Sequence, residues 1–188
     1  MSAFFKSLST LGLVTAALTL LSGCASYKLG SSGEIPFETL YIQPATNDSF
    51  APQAQPIVSS QLRSAFIRDG RVKLVTKAED ADAVLSVNLT DYDRRSASRS
   101  TRDSERAQDF DIRLESEVAL FNQRSGDYYY KGRKFSERTN SYVRNPYVEE
   151  GSESIQNLDA YHQGEREAMP RLARGLARQI ADDVLSTW

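Results

Sequence analysis

"FDIRLESEVALFN", residues 110–122, sets apolar against charged side chains in alternation. Phe110, Ile112, Leu114, Val118 and Leu120 share one parity, and Asp111, Arg113, Glu115 and Glu117 share the other. Successive side chains of a strand point to opposite faces, so a period of two describes a strand with one face buried and one wetted. One-sided burial is typical of antiparallel sheets. Gln123 to Asp127 then reads as a turn, and Asp127 to about Arg138 as the returning strand. A pair of this kind needs a cover for its apolar face, and the rest of the chain supplies it.

Upstream, "KAEDADAVLSVNLTDY" (77–92) holds a turn and then a strand, in which Leu85, Val87 and Leu89 share a face. Residues 93–109 contain no large apolar side chain, which suits either a long polar loop or a hairpin extension. Phe37 to Gln43 reads as a first strand, with Leu40 and Ile42 on one face and Tyr41 on the other; Pro44 ends it. "ATNDSFAPQAQP" (45–56) reads as a loop from its Asn, Asp and Pro content. Ile57, Val58, Leu62, Ala65 and Phe66 recur at helical spacing, and Asp69-Gly70 is a C-terminal stop. This predicts a helix over about 55–68, followed by a short strand at Val72–Val75. At the other end Leu158, Tyr161, Ala168, Met169, Leu172, Leu176, Ile180 and Val184 form a helical stripe. Pro170 interrupts it, so either the helix kinks there or a second one starts there. The expected fold is α+β, with two helices packed on one face of a mixed four- to five-stranded sheet.

The N-terminus has a different character. Lys6 is the one charge in residues 1–23, and the apolar run from Leu11 to Leu21 is about half the length that spans a bilayer. A charged start, a short apolar run and small residues before a cut site describe a secretory signal peptide. Leu21-Ser22-Gly23-Cys24 resembles the bacterial lipobox, in which the cysteine becomes the new N-terminus and its sulfur carries a diacylglycerol. Cys24 is the single cysteine of the chain, so no disulfide forms within it. Ala25, rather than Asp, follows it; by resemblance to enterobacterial sorting this favours the outer membrane. The expected organisation is a cleaved signal peptide over 1–23, a lipid-anchored tether over 24–36 with Gly30, Gly33 and Pro36, and one α+β domain over 37–188.

Catalytic and metal chemistry lack their usual parts. His162 is the only histidine, which removes Cys/His dyads and the common zinc sets. No glycine-rich phosphate loop follows a strand. Asp80 and Asp82 read as a solvated turn, and Glu165, Glu167, Asp182 and Asp183 as the polar side of a helix. The formal charge of −2 becomes −3 without Lys6, with no basic bias toward nucleic acid. The expectation is a non-enzymatic protein with no cofactor and no metal.

Several stretches resemble one family. "GCASYKLG", "IPFETLYIQPATNDSF", "QLRSAFIRDGRVKLV", "DADAVLSVNLTDYD" and "LARQIADDVLSTW" are similar to the LptE family of lipopolysaccharide-assembly lipoproteins. Ala25-Ser26 before Tyr27 and Pro170 in the last helix depart from its pattern. The resemblance implies two helices on a four-stranded sheet and an outer-membrane, periplasm-facing lipoprotein without catalysis. It further implies a partner, the β-barrel LptD, whose lumen the protein plugs and whose assembly it assists, and a ligand, lipopolysaccharide. Phosphates on that ligand call for arginine and lysine. Arg94, Arg95, Arg99 and Arg102 form one candidate set, and Lys131, Arg133 and Lys134 a second, beside Tyr128, Tyr129, Tyr130 and Phe135. The first set reads equally as a solvated basic loop, and the second as a strand with cross-strand pairs to Glu115 and Glu117. Strict alternation would put Tyr129, Lys131, Arg133 and Phe135 on one face and Tyr128 and Tyr130 on the other. A free envelope adaptor without lipopolysaccharide binding is the alternative function.

Overall fold

Three long antiparallel strands carry the architecture. The computed structural model describes residues 34–99, 107–142, 155–186 and 188. The proposed signal peptide, Cys24, most of the tether and Arg102 lie outside these residues. The elements, in chain order, are β1 (Thr39–Ile42), β2 (Thr46–Asn47), α1 (Ala54–Asp69), β3 (Lys73–Leu74), a 3-10 turn (Ala78–Asp80), β4 (Ala83–Arg99), β5 (Ala107–Asn122), β6 (Tyr128–Tyr142) and α2 (Ile155–Ser186). The sheet runs β3-β1-β4-β5-β6, with β2 also paired to β4. β1 is parallel to β3 and β4, and β5 is antiparallel to both β4 and β6. The fold is α+β with a mixed sheet, as expected.

The alternation of β5 is obeyed. Ile112, Leu114, Ser116, Val118 and Leu120 are buried in one row and face the helices with Leu85, Val87 and Leu89 of β4. α1 adds Val58, Leu62 and Phe66, and α2 adds Met169, Leu172, Leu176, Ile180 and Val184, all at helical spacing. Burying one such side chain contributes roughly 1.5–3 kcal/mol. Truncating Phe66, which is fully buried, would cost about 3–5 kcal/mol. α1 stops where Gly70 turns left-handed at φ 76° and donates its N–H to Phe66 O at 3.0 Å. α2 passes through Pro170 as one helix of 32 residues. Phe37, Tyr129 and Trp188 close one end of the core, with ring centroids 5.0–6.2 Å apart.

Three expectations need correction. The segment read as a loop at 45–56 contains β2, pinned through Thr46 Oγ1 to Asn88 at 2.8 Å. Of the two readings left open for the polar stretch after Tyr92, the hairpin extension holds, with β4 reaching Arg99 and β5 beginning at Ala107. β6 continues to Tyr142, beyond the predicted end near Arg138. Asp82 is no solvated turn residue. Its carboxylate accepts the N–H groups of Glu38 and Thr39 at 3.0 Å each and pairs with Arg124 at 2.6 Å. These bonds, the Thr39 amide first, hold its pKa down at about 2.

Candidate functional site: the hairpin extension and the cleft beneath α2

β4 is long where β1 and β2 are short, so its second half extends with β5 and β6 as a three-stranded ribbon. A bulge at Thr90 resets the parity of β4, since Leu89 pairs with Ser116 and Asp91 with Glu115. Tyr92, Arg94 and Ser96 therefore follow Leu89 onto the helix-facing side, opposite Leu114, Ile112 and Phe110. Asp91, Asp93 and Arg95 fall on the open side, opposite Glu115, Arg113 and Asp111.

The first candidate set is thereby divided. On the helix side, Tyr92 donates its hydroxyl to Glu165 of α2, and Arg94 Nη1 lies 3.4 Å from the other oxygen of that carboxylate. On the open side, Arg95 Nε bonds Asp93 at 2.7 Å and keeps that carboxyl below its ordinary pKa. Arg99 is the last residue of β4; its side chain, like Arg102, lies outside the described residues.

The second set is divided by another bulge. Val118 pairs with Arg133, but Leu120 pairs with Tyr130, so β6 carries an extra residue against Ala119. Gly132 makes this possible with φ 75°. Tyr130, Arg133 and Phe135 consequently share the helix-facing side, which corrects the strict alternation. Arg133 stacks 4.1 Å over the Tyr130 ring and bonds Asp183 of α2 at 2.6 and 2.8 Å. Burial, and then the Asp183 charge, push the Tyr130 phenol up. Tyr128 stays on the open side, edge-on to Phe121 at 5.1 Å, with Lys131 Nζ 5.3 Å from its ring. Lys134 is exposed opposite Glu117, as the cross-strand reading expected.

α2 therefore meets β6 through polar contacts. Arg133 bonds Asp183, Glu137 accepts from Gln179, and Arg171 Nη2 donates to Asn140 O at 2.9 Å. Gly175 leaves the room that Glu137 occupies. The open side of β4–β6 is a charged lattice in which Arg113 bridges Glu115 at 2.9 Å and Asp91 at 3.9 Å.

Where Tyr92 and Arg94 meet α2, an open cleft of about 820 Å³ forms between Phe50, Gln53, Tyr92, Arg94, His162, Glu165 and Arg166. Phe50, on the segment between β2 and α1, is 94% exposed at its rim. Phe50 and Arg166 were not among the sequence candidates. Nothing local marks Phe50 in the sequence, because single exposed apolar side chains are ordinary on protein surfaces. Among the described residues no group of three or more His, Cys, Asp or Glu side chains could hold a metal, and no helix is long and apolar enough to cross a membrane.

The profile of a known family, described as lipopolysaccharide-assembly (LptE), matches residues 37–184. The chain belongs to the LptE family. Two solved structures share the LptE fold seen here. Lipoprotein B of Nitrosomonas europaea is 20% identical with a TM-score of 0.52, over 86% of this chain and 92% of that one. A minor lipoprotein of Acinetobacter baumannii is 14% identical with a TM-score of 0.52, over 82% and 95%. No curated protein matches significantly. Membership of LptE marks the chain as a protein of lipopolysaccharide assembly.

Proposed function

We propose that this protein is an outer-membrane lipoprotein that binds lipopolysaccharide and plugs the β-barrel LptD while assisting its assembly. The observation that carries the ligand half is the cleft of Phe50, Arg94 and Arg166. It sets cations beside an exposed aromatic ring, and a phosphorylated, acylated glycolipid presents the complementary pair of groups. Family membership supports the same reading. For the barrel half, the open side of β4–β6 is charged, which suits the polar interior of such barrels. Residues 1–23 are cleaved, Cys24 carries the lipid, residues 24–36 form the tether and 37–188 the working domain, which faces the periplasm and acts by contact without catalysis. Arg94 contacts ligand in the cleft, and Arg99 and Arg102 belong to the same candidate set for lipopolysaccharide phosphates. Lys131 and Lys134, on the open side, contact the barrel wall.

Affinity purification of the full chain from detergent-solubilised membranes tests the partner. A large heat-modifiable β-barrel is expected in stoichiometric amount, and its absence would leave the free-adaptor function. Lipopolysaccharide titration tests the ligand. Arg94→Glu with Arg166→Glu should weaken binding about tenfold, equivalent to about 1.4 kcal/mol, and equal affinity would remove the cleft from the site.

A further inference from the structure

On the outer surface of the helical layer, away from this cleft, a groove of about 270 Å³ runs between α1 and α2. Its lining includes Ala65 of α1 and Ala181 of α2, small residues that give the long side chains around them room. Arg68 of α1 and Arg174 and Arg178 of α2 line it, with Gln61, Asp69 and Asp182. Asp69 is already committed. Arg71 takes both its oxygens, through Nε at 2.7 Å and Nη2 at 3.0 Å, and its Nη1 holds Leu185 O at 3.0 Å. Arg71 thus ties the end of α1 to the end of α2 and fixes the groove between them. One carboxylate, Asp182, is left facing three guanidinium groups, and it also bears on Arg71. Among the described residues Arg68, Arg174 and Arg178 make no ion pair and no side-chain hydrogen bond. Arg174 and Arg178 are four residues apart on one helix, where like charges repel. An anion between them reverses that repulsion, and guanidinium forks match the oxygens of a phosphate.

We propose that this interhelical groove is a binding site for a phosphate group, held by Arg68, Arg174 and Arg178. The group belongs either to a lipid headgroup or to free phosphate. The site lies apart from the cleft and goes beyond the function proposed above; it stands or falls without it.

The test uses the full chain in detergent micelles, with the Nε–H signals of arginine followed by NMR. Inorganic phosphate and, separately, dihexanoyl phosphatidic acid are titrated against a chloride control of equal ionic strength. Saturable shifts of the Arg174 and Arg178 signals are expected, with affinity falling about tenfold or more in R174Q/R178Q and unchanged in R63Q. Tighter binding of phosphatidic acid than of phosphate would assign the lipid source, and equal binding the free ion. R68Q provides a second variant should the double variant lose its native spectrum. Shifts that chloride reproduces, or equal affinity in the wild type and the folded variants, would overturn the proposal. Lipopolysaccharide binding at Arg94 and Arg166 would be untouched by that result.

Discussion

Arg133 of β6 and Asp183 of α2 join the edge of the sheet to the helix that covers it. One guanidinium nitrogen lies 2.6 and 2.8 Å from the two carboxylate oxygens, above the Tyr130 ring. The Arg133 side chain is 35% exposed and that of Asp183 24% exposed, so solvent screens the pair in part. Asp183→Asn should cost about 1 kcal/mol and lower Tm by about 2–4 °C. The loss should shrink in high salt. Thermal melts at two salt concentrations check it, and an unchanged Tm at low salt would contradict the brace.

Asp82 predicts a pH dependence. Its folded pKa of about 2 lies below its ordinary value of 3.8, so the stability it contributes is fully present above about pH 5. That contribution is lost as pH falls from there toward 2. Asp82→Asn loses the charge that both amides and Arg124 address. The variant should lose about 1–2 kcal/mol at pH 7 and converge on the wild type only below about pH 2. Urea unfolding across this range reads the difference directly; parallel curves at all pH values would rule the account out.

Gly132 permits the bulge that brings Tyr130 and Arg133 to one face. At φ 75° a side chain is strained, although an added Cβ would meet only Glu117 Oε1 at an ordinary 3.5 Å. Gly132→Ala should therefore cost about 1 kcal/mol from the backbone alone. The proposed sites should keep their affinities. A loss above about 3 kcal/mol in a urea titration would mean that packing, rather than the dihedral, governs this position.

Ser116 sits 1% exposed in the apolar row of β5, and its hydroxyl has no hydrogen-bond partner among the described residues. Removing an unsatisfied buried hydroxyl relieves a desolvation cost. Ser116→Ala should be neutral or stabilising by up to about 1 kcal/mol. A destabilised variant would reveal a bond formed by that hydroxyl in solution.

Cys24 carries the proposed anchor, and acyl chains contribute about 0.8 kcal/mol per buried CH₂. Cys24→Ser should leave an unprocessed precursor that takes up no labelled palmitate. A processed, membrane-bound variant would refute the lipobox reading.

The regular elements were legible where burial imposed a period. β5 announced itself by alternation, and α1 and α2 by their stripes, because each has one wet and one dry side. The misreadings, and the choice left open over residues 93–109, share a different physics. The extension of β4 beyond Tyr92 is polar on both faces, so no period distinguishes it from a loop. Gly132 and Thr90 each insert a residue that breaks parity, which local pattern cannot foresee. Asp82 looked like a turn residue because its partners, Glu38 and Thr39, are distant in sequence. The cleft was only half visible for the same reason, since Arg94, Phe50 and Arg166 come from three elements that meet only in the fold.

The position of β1 has a consequence for the order of folding. β1 lies between β3 and β4, both downstream of it, whereas β4, β5 and β6 form a meander of neighbours. Pairing of sequence neighbours closes short loops, and pairing of Leu40 with Ala83 closes a long one. The meander with α2 should form first, and the strand adjoining the tether should slot in last. In pulse-labelled hydrogen exchange during refolding, the amides of β4 and β5 should gain protection before those of β1. The segment closest to the anchor would then be the last to commit to the native state.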